Sequence, residues 1–117
     1  MSLHSVRAFV RHASRLPAVE IVEQWESHVA KVGGKVFAMI GNSGEAIVFK
    51  VSETSFEGLT ALPEVGQAPY LAKRGWVRVG RGAPLTDAEL KAYIAAAHAL
   101  VAAKLTRKLR AELGLAS

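Results

Sequence analysis

Lys73, Arg74, Arg78 and Arg81 surround Trp76 within the stretch APYLAKRGWVRVGR, residues 68–81. Guanidinium and ammonium groups meet phosphates, and an indole stacks on a base or a ribose. These residue types at this spacing therefore suit nucleic-acid contact. Strand alternation sends Trp76 and Arg78 to one face and Val77 and Val79 to the other, where the valines enter the core. The competing account is architectural: Trp76 packs at the rim of a sheet, and Arg78 lies across it as a cation–π pair.

Other cations recur elsewhere. Arg7, Arg11 and Arg15 stand one helical turn apart with His4 at the head of the stripe; they form either a phosphate track or a solvated helix face. Lys104, Arg107, Lys108 and Arg110 lie near the end of the chain. That group reads as cations favouring the negative end of a helix dipole, as a basic arm for nucleic acid, or as a docking helix for a protein partner. His28, Lys31, Lys35 and Lys50 offer a basic sheet face to an anionic ligand, or are solvated side chains on an open face. The candidate nucleic-acid set is thus Lys73, Arg74, Trp76, Arg78 and Arg81, helped by Arg7, Arg11, Arg107 and Lys108.

Catalytic chemistry finds less support. There is no cysteine, which removes thiolate nucleophiles, disulfides and cysteine-ligated metal centres. Asp87 is the sole aspartate and is explained as a helix-cap residue, so no Ser/His/Asp set assembles. His4, His12, His28 and His98 lack HxH or HExxH spacing. Glu20, Glu23 and Glu26 recur at intervals of three, but without histidine or aspartate beside them they are weak ligands for a hard cation. Gly33-Gly34 and Gly41-Asn42-Ser43-Gly44 are turns without the GK[ST] of a phosphate loop. The expectation is a protein that is not an enzyme and carries neither metal nor cofactor.

The whole chain agrees with a binding role. Its 117 residues fit one domain, half of them are hydrophobic, and the net charge of +5 favours polyanionic partners. No apolar run approaches the roughly 18 residues of a membrane span. Leu3–Val10, interrupted by His4 and Arg7, is too short and polar for a signal core. A soluble cytoplasmic protein with no membrane contact is expected.

Positioning falls to a small set of elements. A first helix capped by Ser2 runs to about Ser14 or Arg15, with Leu3, Val6, Val10 and Ala13 on one face, and Pro17 ends it. Ala18–Trp25 reads as an extended segment. His28–Val32 and Val36–Ile40 are strands joined by Gly33-Gly34, and Glu45–Val51 completes a three-stranded meander. Ser52 caps a short helix that Pro63 stops. Glu64–Pro69 reads as loop and Trp76–Gly80 as a fourth strand. Thr86-Asp87-Ala88-Glu89 is a capping box opening the longest helix, with Leu90, Tyr93, Ile94, Ala97, Val101 and Leu105 at helical spacing and His98 at its edge. Thr106–Leu113 is a last helical stretch that Gly114 can end. The pattern predicts an α+β domain in two layers, an antiparallel sheet packed against N-terminal and long C-terminal helices, with its other face partly open.

Five blocks, in order, carry a resemblance: Leu16-Pro17-Ala18-Val19; His28 through Ala38; Phe49-Lys50-Val51-Ser52; Ala68-Pro69-Tyr70-Leu71; and Gly75-Trp76-Val77. Together they resemble the MmcQ/YjbR family over roughly residues 3–105, leaving residues 106–117 as a basic tail. The resemblance implies a CyaY-like or secretion-chaperone-like fold and a DNA-binding role, and it brings no catalytic residues. Weak, sequence-tolerant nucleic-acid binding through the basic Trp76 hairpin is the first functional expectation. A protein-interaction or chaperone-like module using the open sheet face is the second.

Overall fold

The computed structural model describes residues 2–69, 71 and 75–115. Along the chain run α1 (Val6–Ser14), β1 (Val19–Gln24), β2 (Ser27–Val32), β3 (Lys35–Gly41), β4 (Ala46–Lys50), α2 (Glu53–Thr60), β5 (Val65–Gln67), β6 (Trp76–Gly80), α3 (Asp87–Ala102) and α4 (Arg107–Glu112). The strands make a six-stranded antiparallel sheet in the order β1-β2-β3-β4-β6-β5. The architecture is α+β, an open sheet with helices on one side.

Local chemistry accounts for most element ends. The β2–β3 hairpin closes on Gly33 and Gly34, both at positive φ (58° and 78°), which glycine adopts without steric cost. In α3 the Thr86 side chain accepts from Glu89 N while the Glu89 carboxylate accepts from Thr86 N, so two otherwise orphaned donors are satisfied reciprocally. Ser52 caps α2 by accepting from Ser55 N at 3.2 Å. Thr106 caps α4, and Gly114 follows it at φ 74°.

Several boundaries depart from expectation. Ser5, not Ser2, caps α1, accepting from Ala8 N; Ser2 Oγ accepts from His4 N instead. The extended segment before Trp25 pairs fully with β2, from Val19↔Val32 to Gln24↔Ser27, so the meander has four strands instead of three. Residues 65–67, read as loop, form β5 outside β6. That strand is three residues long and contains a glycine, so it shows no alternation. Glu64, at φ 60°, turns the chain into it.

The core lies between the sheet and α1, α2 and α3. Phe9, Phe37, Phe49, Ile47, Ile94, Val77 and Val79 are fully buried there. Each such side chain contributes about 1.5–3 kcal/mol through burial. Val6 and Val10 pack at the margin of this core, while Phe9 and Ala13 supply the buried face of α1. His98 is buried, contrary to its expected place at a helix edge: Nε2 donates to Pro17 O at 2.7 Å, and its ring meets Phe37 edge-on at 5.2 Å. His4 is likewise buried, with Nε2 donating to Val79 O at 3.1 Å.

Candidate functional site

Register places one row of residues across the whole sheet on the face away from the helices. Val22 pairs with Val29, Val29 with Met39, Met39 with Val48, Val48 with Arg78, and Arg78 with Gly66. The valine at position 29 is buried, Met39 and Val48 are half-buried, and Arg78 is exposed. Gly66 contributes no side chain, and the space above it is open. The guanidinium of Arg78 therefore stands at the end of an apolar floor with no side chain directly opposite it on β5. Among the described residues it has no ion pair or hydrogen bond.

Three depressions meet at Arg78. The largest, about 560 Å³, is lined by Trp25, Met39, Val48, Pro69, Leu71 and Arg78, with Ser27 and Ala68 at its margin. Its wall at the β1–β2 end is Trp25, whose side chain is 67% exposed. The smaller two add Glu45 on one side of Arg78 and Glu64 and Gln67 on the other. Among the described residues the combination is an apolar floor, one indole and one cation without a counter-ion.

Of the expected basic hairpin, the described members Trp76, Arg78 and Arg81 do not share one surface. Trp76 shares the face of Arg78 by alternation but is only 8% exposed, so it is no stacking platform. Its cross-strand partner Lys50 pairs with it in register and holds Nζ 5.5 Å from the indole centroid, while Ala68 N donates to Trp76 O on its other side. The cation–π contact anticipated between Trp76 and Arg78 is thus made by Lys50. Burial, and then the nearby charge of Lys104, lower the pKa of that lysine. Arg81 is a brace, donating from Nη2 to Ser43 O at 3.2 Å across the β3–β4 turn. Arg7 and Arg11 are exposed on α1, and Arg107 and Lys108 on α4, in the helical layer away from the Arg78 row. Lys73 and Arg74 lie outside the described residues.

Two more of the sheet residues expected to meet an anion, His28 and Lys31, are also engaged. His28 contacts Glu23 Oε1 through Nε2 at 3.0 Å and Asn42 Oδ1 through Nδ1 at 2.8 Å. Lys31 Nζ donates to Gln24 Oε1 at 3.4 Å. Lys35 is exposed beside the Gly33-Gly34 turn. Sequence reasoning missed Trp25. It sits in a two-residue turn, Trp25-Glu26, that has no glycine or asparagine to announce it. Its one signal was an aromatic set among polar neighbours.

Residues 14–100 match the family model described as YjbR. The chain belongs to the YjbR family. Among solved structures it is similar to Deinococcus radiodurans protein DR2400, which carries a domain named DUF419, with a TM-score of 0.85 and 25% identity over 96% of this chain and 89% of that one. It also resembles a protein from Pseudomonas syringae at a TM-score of 0.67 and 19% identity, covering 80% of this chain and 96% of that one, a likeness of fold. No curated protein matches the chain. The YjbR match contains every residue lining the groove and stops before α4.

Proposed function

We propose that this YjbR-family protein is a non-enzymatic binding domain that holds nucleic acid weakly, without sequence preference, on its open sheet face. The observation that supports this reading is Arg78: exposed, in register with an apolar row, facing three depressions, and without a partner among the described residues. A guanidinium in that setting receives a phosphate bidentately. The net charge of +5 draws polyanions toward the molecule at long range. Among the described residues nothing on the face resembles a recognition helix with polar base-reading side chains, so binding is sequence-tolerant.

Fluorescence anisotropy with labelled oligonucleotides at low salt tests this. Arg78→Ala weakens binding by roughly 10-fold or more, as expected for a lost charge-assisted hydrogen bond. The double variants Arg7→Ala/Arg11→Ala and Arg107→Ala/Lys108→Ala change it by no more than about 3-fold, since a distant exposed cation contributes little. No detectable binding, or binding indifferent to Arg78→Ala, overturns the proposal. The apolar floor of Met39, Val48 and Leu71 favours a second reading, in which a protein segment occupies the face. A protein that copurifies and is released by both Arg78→Ala and Val48→Glu, with no nucleic acid in the absorbance spectrum, would decide for it.

A further inference from the structure

The β1–β2 connection puts both of its turn residues at positive φ, Trp25 at 54° and Glu26 at 56°. A two-residue hairpin turn of this kind favours Asn-Gly because both positions are left-handed, and a bulky side chain there is an outlier. The same chain uses Gly33-Gly34 for its next hairpin. Trp25 is the sole large hydrophobic side chain that is exposed among the described residues, at 67%. The site thus combines backbone strain with apolar exposure, and neither is repaid by packing. Observed strain of this sort points to a functional constraint. The indole borders the same 560 Å³ groove as Arg78, with Met39 and Val48 between them. From β2 to β6 the groove crosses three strand spacings, about 14 Å.

We infer that Trp25 is the base-stacking platform of a site for single-stranded nucleic acid, with Arg78 holding a phosphate of the same strand. This deepens the functional proposal above and rests on it. Strandedness follows from the surface. A duplex hides its base faces in the stack and presents phosphates, for which this face offers one guanidinium among the described residues. Arg7, Arg11, Arg107 and Lys108 lie in the other layer. A single strand exposes base faces, and every base has one to lay on an indole, so the contact is sequence-tolerant. The apolar floor beneath suits an unstacked base better than a row of phosphates.

The test uses the full chain and an oligothymidylate of about 12 nucleotides, within the usual site size of a single-strand binder. Inorganic polyphosphate serves as a probe carrying charge without bases, and a duplex of equal length as the third ligand. Trp76 is buried, so quenching of the accessible tryptophan emission reports on Trp25. The expected result is quenching of the parent by oligothymidylate, with Trp25→Ala weakening affinity, read by anisotropy of the labelled oligonucleotide, roughly 5- to 150-fold, the usual span for one lost stacking contact. Trp25→Phe retains most of the affinity, polyphosphate binding is unchanged by Trp25→Ala, and the duplex binds less well than the single strand. Circular dichroism of each variant confirms the fold. If oligothymidylate binding depends on Arg78 but ignores Trp25→Ala, without quenching, the stacking inference fails and the Arg78 proposal stands. Tighter binding of the duplex also sinks the single-strand inference. If neither nucleic acid binds, both fail. A copurifying protein released by Trp25→Ala, with no quenching by oligothymidylate, overturns the inference in favour of a peptide occupant.

Discussion

Trp76 and Arg78 stand two residues apart on one strand and face the same way, yet one is covered and the other bare. Their cross-strand neighbours differ. Trp76 pairs with Lys50, whose ammonium lies over the indole, whereas Arg78 has Val48 on one side and Gly66 on the other. The missing side chain at position 66 is therefore part of the site. Gly66→Glu places a carboxylate in open space directly across from Arg78, in the geometry of a cross-strand ion pair. It should lower nucleic-acid affinity about as far as Arg78→Ala, roughly 10-fold, while anisotropy is read beside an unchanged thermal melt. Affinity equal to the parent's would mean that Arg78 is not the anion receptor. On the helical side, His12 carries a pH signature. Its Nε2 donates to Lys91 O at 3.3 Å in a hollow shared with Arg11, Arg15, Asp87 and Lys91. Burial lowers its pKa below the ordinary 6.5, the hydrogen bond to Lys91 O raises it, and the charges of Lys91 and Arg15 lower it further. The unfolded chain then binds this proton more tightly than the folded one. Its contribution is present above 6.5 and is lost as pH falls through the lowered value. His12→Gln should accordingly lose less melting temperature than the parent on acidification from neutral pH. An equal loss would assign the acid leg to other groups.

The two hairpins that flank β2 pose the same backbone demand and meet it with opposite residues. Gly33-Gly34 announces its turn, and the strands on either side of it were legible from sequence. Trp25-Glu26 conceals its turn, so the hairpin and its exposed indole were not. Replacing Trp25-Glu26 by Asn-Gly should stabilise the fold by about 1–2 kcal/mol in urea unfolding, by relieving two left-handed side chains. The same change should weaken oligothymidylate binding read by anisotropy about as far as Trp25→Ala does. If stability does not rise, the turn is not strained. Glycine position matters as much as glycine presence. At Gly34, φ is 78° and a Cβ would meet nothing within 4 Å, so Gly34→Ala costs only the backbone term of about 1–2 kcal/mol. At Gly44, φ is 73° and a Cβ would run into the carbonyl oxygen of His4, so Gly44→Ala must also displace the chain before α1 and lowers the urea midpoint further. Equal midpoints would show that this contact yields freely. Periodicity and caps therefore revealed the meander, α2 and α3. They could not reveal β5, whose pairing comes from β6 alone, nor the cover of Trp76, which has Lys50 of another strand over its ring. His98 was misplaced for the same reason, since its partner Pro17 O is 81 residues away.

At the scale of the whole molecule, the cations among the described residues are spread over surfaces that do not work together. Arg78 faces the open groove, Arg81 is committed to the β3–β4 turn, and the cations of α1 and α4 lie in the helical layer. Distributed charge of this kind raises the encounter rate through the long-range field but does not align several phosphates at once. Salt dependence separates these two roles. For a single strand the slope of log K against log salt is about −0.7 for each phosphate neutralised. A site built on Arg78 and one indole should give a slope between roughly −0.7 and −2, because few phosphates are held and stacking is insensitive to salt. Arg78→Ala should make that slope shallower by about 0.7, whereas Arg107→Ala/Lys108→Ala should leave it unchanged even where it slows association. Anisotropy titrations across a series of salt concentrations give both numbers for each variant. A slope steeper than about −4 would require the strand to wrap onto the helical layer and engage the scattered cations together. In that case the open face would be only one stop along a longer path, and the affinity of Arg78→Ala would fall far less than the local geometry demands.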